Sequence, residues 1–184
     1  MYIFGYGSLI NTASRQLTGR TGDAIPVIAK GLVRYWGKID DSYIMSPLVV
    51  NQGKGEVSGV LLEVSAEELA EFDRREAGYQ RIALESSQIE SEHSFDSKLP
   101  IWVYITEHHQ PPCQQSPIVQ SYVDTVLTGC LEISEQFAHH FIANTIGWQF
   151  PYENDRHSPK YTRMAGVSAN AQVNIDRLLL EYKA

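Results

Sequence analysis

The chain has 184 residues, 43% of them hydrophobic and 20% charged, with a formal net charge of −7. This is the composition of one globular domain with a sizeable core, and it excludes a chain disordered throughout. The acidic balance, with a pI near 5.3, argues against nucleic acid and anionic membranes as partners, because a phosphate-binding surface needs a basic excess. No apolar run approaches the ~18 residues of a spanning helix, and no basic stretch followed by an apolar one opens the chain, so a cytoplasmic protein is expected. Cys113 and Cys130 make no Cys-x-x-Cys pair and are expected as free thiols. Cys130 falls on an apolar helix face, and Cys113 falls in a loop with nothing beside it to lower its pKa.

In chain order, Tyr2, Ile3 and Phe4 are strand formers, and the strand breaks at Gly5 and Gly7. Two glycines let the main chain take positive φ and let a ligand come close. Gly7-Ser8-Leu9 then offers consecutive N–H donors, a place to hold an anion or a carbonyl oxygen. Residues 11–22 read as a short helix and a turn. Val27 to Tyr35 reads as a strand, and Tyr43 to Val50 as another. The turn cluster Asn51-Gln-Gly-Lys-Gly55 then joins the latter to a strand over Glu56 to Val64 in an antiparallel hairpin.

Ser65-Ala-Glu-Glu68 is a capping box that starts a helix running to about Glu76. With Leu69 and Phe72 inward, Glu76 follows Phe72 at i+4. Its carboxylate therefore leaves the helix on the apolar side, where desolvation raises its pKa. Gln80 to Gln88 alternates as a strand, and Glu90 to Leu99 is a polar loop or hairpin tip. Ile101 to Thr106 is a strand whose Trp102 and Tyr104 share a face. Ser116 is expected as N-cap and Pro117 as first residue of a helix with the stripe Val119, Tyr122, Val123, Val126, Leu127, Cys130 and Leu131. Ser134 starts another helix with Phe137, Phe141 and Ile142 inward. The polar run from Glu153 to Arg163 has two readings: a surface strap with Asp155 paired to Arg156 or Arg163, or a lid that brings Arg156 or Arg163 to a substrate carboxylate. A final amphipathic piece carries Val173, Ile175, Leu178, Leu179 and Tyr182.

Tyr6-Gly7-Ser8-Leu9 after the first strand, Glu76-Ala77-Gly78-Tyr79 at a helix end, Tyr104 on a later strand and Ser116-Pro117 occur in an order that resembles the gamma-glutamylcyclotransferase family, over Met1 to about Glu132. The resemblance implies an α+β fold: a mainly antiparallel, barrel-like sheet of about six strands with helices packed outside. Residues 1–146 would form the family domain, and 147–184 a C-terminal extension packed on it that can act as a lid. It also implies an enzyme that cyclises a γ-glutamyl amide or peptide to 5-oxoproline and releases the amine, with Glu76 as acid/base. Tyr6, Gly7, Ser8, Leu9 and Tyr104 would bind the substrate. The expected partner is a small γ-glutamyl compound, with no cofactor and no metal. Asn11 stands where the glutathione-specific branch often has tryptophan, which weighs against glutathione as substrate.

The residues leave two alternatives open. One is a non-catalytic γ-glutamyl-binding or regulatory module, since a fold can keep its pocket and lose its chemistry. The other is a γ-glutamyl acyltransferase using Ser8 as nucleophile, although a Gly-x-Ser-x-Gly elbow would need glycine where Ile10 stands. A dinucleotide fingerprint fails at the same position. The pairs His108-His109 and His139-His140 lack metal-ligand spacing.

Overall fold

A computed structural model describes residues 1–18 and 23–183. The elements are β1 (Tyr2–Gly5), α1 (Thr12–Gln16), β2 (Ala24–Trp36), β3 (Leu48–Glu63), α2 (Ala66–Arg75), β4 (Gln80–Leu84), β5 (Ile89–Glu90), β6 (Ile101–Ile105), β7 (Ile118–Val119), α3 (Gln120–Ile133), α4 (Glu135–Ala143), β8 (Thr145–Ile146), β9 (Tyr152–Glu153) and α5 (Ala169–Lys183). The main sheet has the order β4-β6-β1-β3-β2-β5, with β8 on β2, and it curls into a half-barrel. All its pairings are antiparallel except β1 with β6 and β2 with β8, which agrees with the expected fold class. Of the expected 11–22 segment, α1 is seen, and residues 19–22 lie outside the described residues.

The period-two alternation of β3 builds both layers of the core. Val60 and Leu62 face Tyr122, Val126 and Phe141 on the helical side. Val57 and Leu61 face Phe4, Val27 and Val103 inside the half-barrel. A third cluster docks α2 through Leu69 and Phe72 onto Ile3, Val64 and Tyr104. No described helix is long and apolar enough to cross a membrane.

Four expected elements are corrected, the first only in length: the strand expected over Gln80 to Gln88 ends at Leu84, and Ser86–Gln88 forms a 3-10 turn. Asn51 to Gly55 is no turn: β3 continues through it alongside β2, with a bulge at Gly53 to Gly55 where the register shifts between Lys30 and Leu32, and the hairpin reverses over residues 37–47. The glycines there provide room. A Cβ on Gly53 would lie 2.7 Å from Val33 Cγ2, and one on Gly55 2.8 Å from the Leu32 carbonyl oxygen. Tyr43 to Pro47 is consequently not strand.

Ser116 does not cap α3, and Pro117 is not its first residue. Ile118 and Val119 pair as β7 with β9, the helix begins at Gln120, and Val119 supplies no side-chain cap. The cap comes from far along the chain: the Asp155 carboxylate accepts from the Ser121 N–H at 2.7 Å and from its hydroxyl at 2.6 Å. An acid at this helix end satisfies an orphan donor and complements the dipole. Asp155 is thus used by α3, not by an arginine as expected. Finally, Val173 is exposed, while Ile175, Leu178 and Leu179 are buried.

Candidate active site

A cavity of about 560 Å³ opens where the central strand β1 ends. β1 delivers the loop from Gly5 to Leu9, α2 delivers Arg75 and Glu76, and β6 delivers Tyr104. The 43–48 segment and the strap at 160–163 close the sides. Tyr6, Gly7, Ser8, Leu9, Glu76 and Tyr104 all line it, so the residues singled out in the sequence are brought together.

Glu76 is the C-cap of α2, its N–H donating to the Phe72 carbonyl at 2.9 Å. Ser65 and Glu68 form the predicted capping box at the other end, so both helix ends are defined. Because Phe72 is buried against Ile3 and Tyr104, the residue one turn on enters the cavity. Glu76 is the one carboxylate among the described lining residues. Burial pushes its pKa above the ordinary carboxylate value, and the nearby charges of Arg75 and Arg163 oppose that shift without cancelling it.

The glycine loop differs from expectation in one respect. Gly7 has φ −131°, and the positive-φ glycines are Gly31, Gly78, Gly147 and Gly166, so neither Gly5 nor Gly7 serves by positive φ. Both are needed for space. A Cβ on Gly7 would sit 2.8 Å from the Tyr122 hydroxyl, and one on Gly5 2.8 Å from Leu9 Cβ. Ser8, Leu9 and Ile10 form a single 3-10 turn. The Ser8 N–H, with that of Leu48, faces the Tyr122 hydroxyl oxygen.

Behind the loop, the fully buried Arg34 guanidinium donates to the carbonyls of Tyr6 (3.2 Å), Ser58 (2.7 Å) and Phe141 (3.0 Å). Burial lowers its pKa to about 9, which leaves it charged at neutral pH. It has no carboxylate partner among the described residues, so its charge is spread over carbonyl dipoles, one of them the peptide that also carries the Gly7 N–H.

Tyr104 reaches the cavity with its ring, but its hydroxyl donates to Asp73 Oδ1 at 2.8 Å, and Asp73 in turn pairs with Arg81 at 2.7 Å. The Tyr6 hydroxyl donates to the Tyr104 carbonyl at 2.8 Å, tying β1 to β6 beneath the cavity. Tyr79 donates to the Tyr43 hydroxyl, and burial raises the pKa of both.

Sequence reasoning missed Tyr43, Tyr79, Tyr122 and Arg75 as lining residues. Arg75 could have been found, since it precedes Glu76 on the same helix end. The tyrosines come from elements whose facing directions depend on tertiary packing.

Of the two strap arginines, Arg163 lines the cavity. Arg156 instead grips Asp124 through Nε (2.7 Å) and Nη2 (2.8 Å), and Asp176 at 2.8 Å. No histidine is among the lining residues. Among the described residues, no group of three or more His, Cys, Asp or Glu is placed to hold a metal ion. Both cysteines are free. Cys113 departs from expectation: burial raises its thiol, but backbone N–H groups of Ser116 and Gln115 and the Lys38 charge outweigh that, and its pKa falls.

Fold and site together define an α+β half-barrel protein with a pocket at the end of its central strand, built around one desolvated carboxylate. The family model of the gamma-glutamyl cyclotransferase, AIG2-like proteins matches residues 3–122, and the chain belongs to that family. A solved structure of a gamma-glutamyl cyclotransferase superposes with a TM-score of 0.62 at 16% identity, covering 96% of this chain and 98% of that one. An uncharacterized protein from Homo sapiens gives 0.61 at 17% identity, with 95% and 97% covered. YkqA from Bacillus subtilis gives 0.55 at 18% identity, with 79% and 55% covered. At such identities these likenesses speak for the fold. No curated protein matches the sequence.

Proposed function

We propose that the protein cyclises γ-glutamyl amides or peptides to 5-oxoproline, releasing the amine, with Glu76 as the single acid/base. The observation that carries this reading is that Glu76, desolvated and the one carboxylate among the described lining residues, opens on the same cavity as the Gly7-Ser8-Leu9 loop.

The reaction is intramolecular, so most of the enzyme's work is to fold the substrate with its α-amine against its own γ-carbonyl. Well-oriented groups of this kind reach effective molarities of ~10⁵–10⁸ M. Glu76 takes a proton from the α-ammonium, and the freed amine attacks the γ-carbonyl carbon. The oxyanion of the tetrahedral intermediate is held by the loop N–H donors of Gly7 and Leu9, the Ser8 N–H being engaged by the Tyr122 hydroxyl oxygen. Glu76 returns the proton to the leaving nitrogen, the C–N bond breaks, and the ring nitrogen's second proton leaves through the same carboxylate to the departing amine or to water. A carboxylate whose pKa is lifted toward the working pH is suited to both halves, a contribution of ~10²–10⁴-fold.

The test is 5-oxoproline release from a panel of γ-glutamyl amines, dipeptides and glutathione, with Glu76→Gln and Ser8→Ala beside the wild type. Product from the wild type and from Ser8→Ala, with loss in Glu76→Gln, is expected. A covalent adduct on Ser8, or no product from any member, would replace this reading with the acyl-enzyme or the binding module respectively.

A further inference from the structure

We infer that Arg163, carried by the C-terminal strap, reads a carboxylate on the leaving group, so that the pocket selects γ-glutamyl compounds whose released amine bears an acid. The inference rests on the cyclotransferase reading of the pocket and adds the residue that sets its preference.

Three observations carry it. First, the strap is held in place. Its Asp155 is buried under α3, accepting from Ser121 and from the Lys160 N–H at 2.7 Å. Arg156 beside it is clamped between Asp124 and Asp176. A segment fixed at these points delivers residues 160–163 to the cavity wall in one arrangement.

Second, Arg163 is uncommitted. The other described arginines have hydrogen-bond or ion-pair partners: Arg15 binds Leu9 O, Arg34 its three carbonyls, Arg74 Glu71, Arg75 Thr18 O, Arg81 Asp73, Arg156 its two aspartates, and Arg177 Glu135 and Glu181. Arg163 has none among the described residues beyond a loose approach to the Tyr161 ring, 5.9 Å from its centroid. Lys160, the other strap cation at the cavity, is already neutralised by Glu153 at 2.7 Å.

Third, Arg163 and Arg75 line the same cavity, and neither makes an ion pair with Glu76. Two guanidinium groups lining one cavity, that of Arg163 exposed and without a hydrogen-bond partner, make a place for an anion that the described residues do not fill. In the proposed chemistry the γ-glutamyl half is used up by the loop, whose N–H donors take its α-carboxylate and γ-carbonyl oxygen, and by Glu76, which takes the proton of its α-ammonium. The anion left for Arg163 is a carboxylate of the leaving half.

The measurement is binding by calorimetry to the Glu76→Gln protein, in which turnover does not interfere, using γ-glutamyl-alanine and its C-terminal amide as a matched pair. Alongside it runs the kcat/KM ratio for the same pair in proteins that retain Glu76. The acid is expected to bind ~10-fold or more tightly than the amide, as for one charge-assisted hydrogen bond at a partly exposed site. Arg163→Gln should bring that ratio close to one, Arg163→Lys should restore part of it, and added salt should shrink it.

A ratio unchanged by Arg163→Gln, or no preference in the parent, overturns the inference even if 5-oxoproline is made. An Arg163-dependent preference in binding, with no 5-oxoproline from any protein, upholds the inference and overturns the proposed chemistry instead. Failure of both ligands to bind overturns the two together.

Discussion

At the scale of single residues, the proposed chemistry turns on one carboxylate whose proton affinity burial raises. Glu76 has its pKa raised by burial, so the acid limb of kcat/KM should lie above the ~4.3 of an ordinary glutamate. Arg75 pulls that pKa down, so Arg75→Gln should move the limb to higher pH, read from a pH–rate profile; a limb that stays put or moves down contradicts the assignment. The same shift has a consequence for stability. A carboxyl that holds its proton more tightly folded than unfolded favours the fold at low pH, and that contribution is lost as pH rises through the folded pKa. Glu76→Gln should therefore melt higher than the wild type at neutral pH, and the gain should disappear in acid below the ordinary carboxylate range. An equal difference at both pH values would sink the argument.

Gly7 gives an independent test of the loop. Its Cβ would meet the Tyr122 hydroxyl at 2.8 Å, so Gly7→Ala should destabilise the protein by ~1–3 kcal/mol. Tyr122→Phe in the same chain should recover part of that loss, because removing the hydroxyl removes the clash; strict additivity of the two in urea denaturation would show that something else is wrong.

Helices and strands divide cleanly into those readable from local pattern and those not. The capping box at Ser65, the inward Leu69 and Phe72, and therefore the direction of Glu76, follow from 3.6-residue periodicity alone, and α2 has this form. The Ser134 cap of α4 was equally legible. Gly53 and Gly55 looked like a turn because glycine usually makes one, whereas here they leave room for Val33 on the paired strand, a contact invisible until the pairing is known. Ser116-Pro117 looked like a helix start because the real cap, Asp155, is 34 residues away from Ser121 in sequence. Asp155→Ala removes that cap and leaves buried donors unpaired, which should cost ~2–4 kcal/mol. It should also free the strap, so limited proteolysis between residues 153 and 163 should speed up; unchanged cleavage would mean that Asp155 does not hold the segment.

Over the whole molecule, the curled sheet explains why residues so far apart in sequence meet. β1 lies between β3 and β6 at the centre of the half-barrel, so its C-terminal end and the loop beyond it face both the C-terminus of α2 and the Tyr104 strand. The loop and Glu76 were legible because each sits at the end of an element with a strong pattern. The hydroxyl of Tyr104, spent on Asp73, and the choice of Arg163 over Arg156 were not, because both depend on which side chains a neighbouring element has already engaged.

The most direct test of the central claim is turnover of the best γ-glutamyl substrate by wild type and Glu76→Gln, measured as 5-oxoproline, with substrate affinity measured on both. The account predicts a loss of ~10²–10⁴-fold in kcat with affinity retained. Undiminished turnover by Glu76→Gln would contradict it.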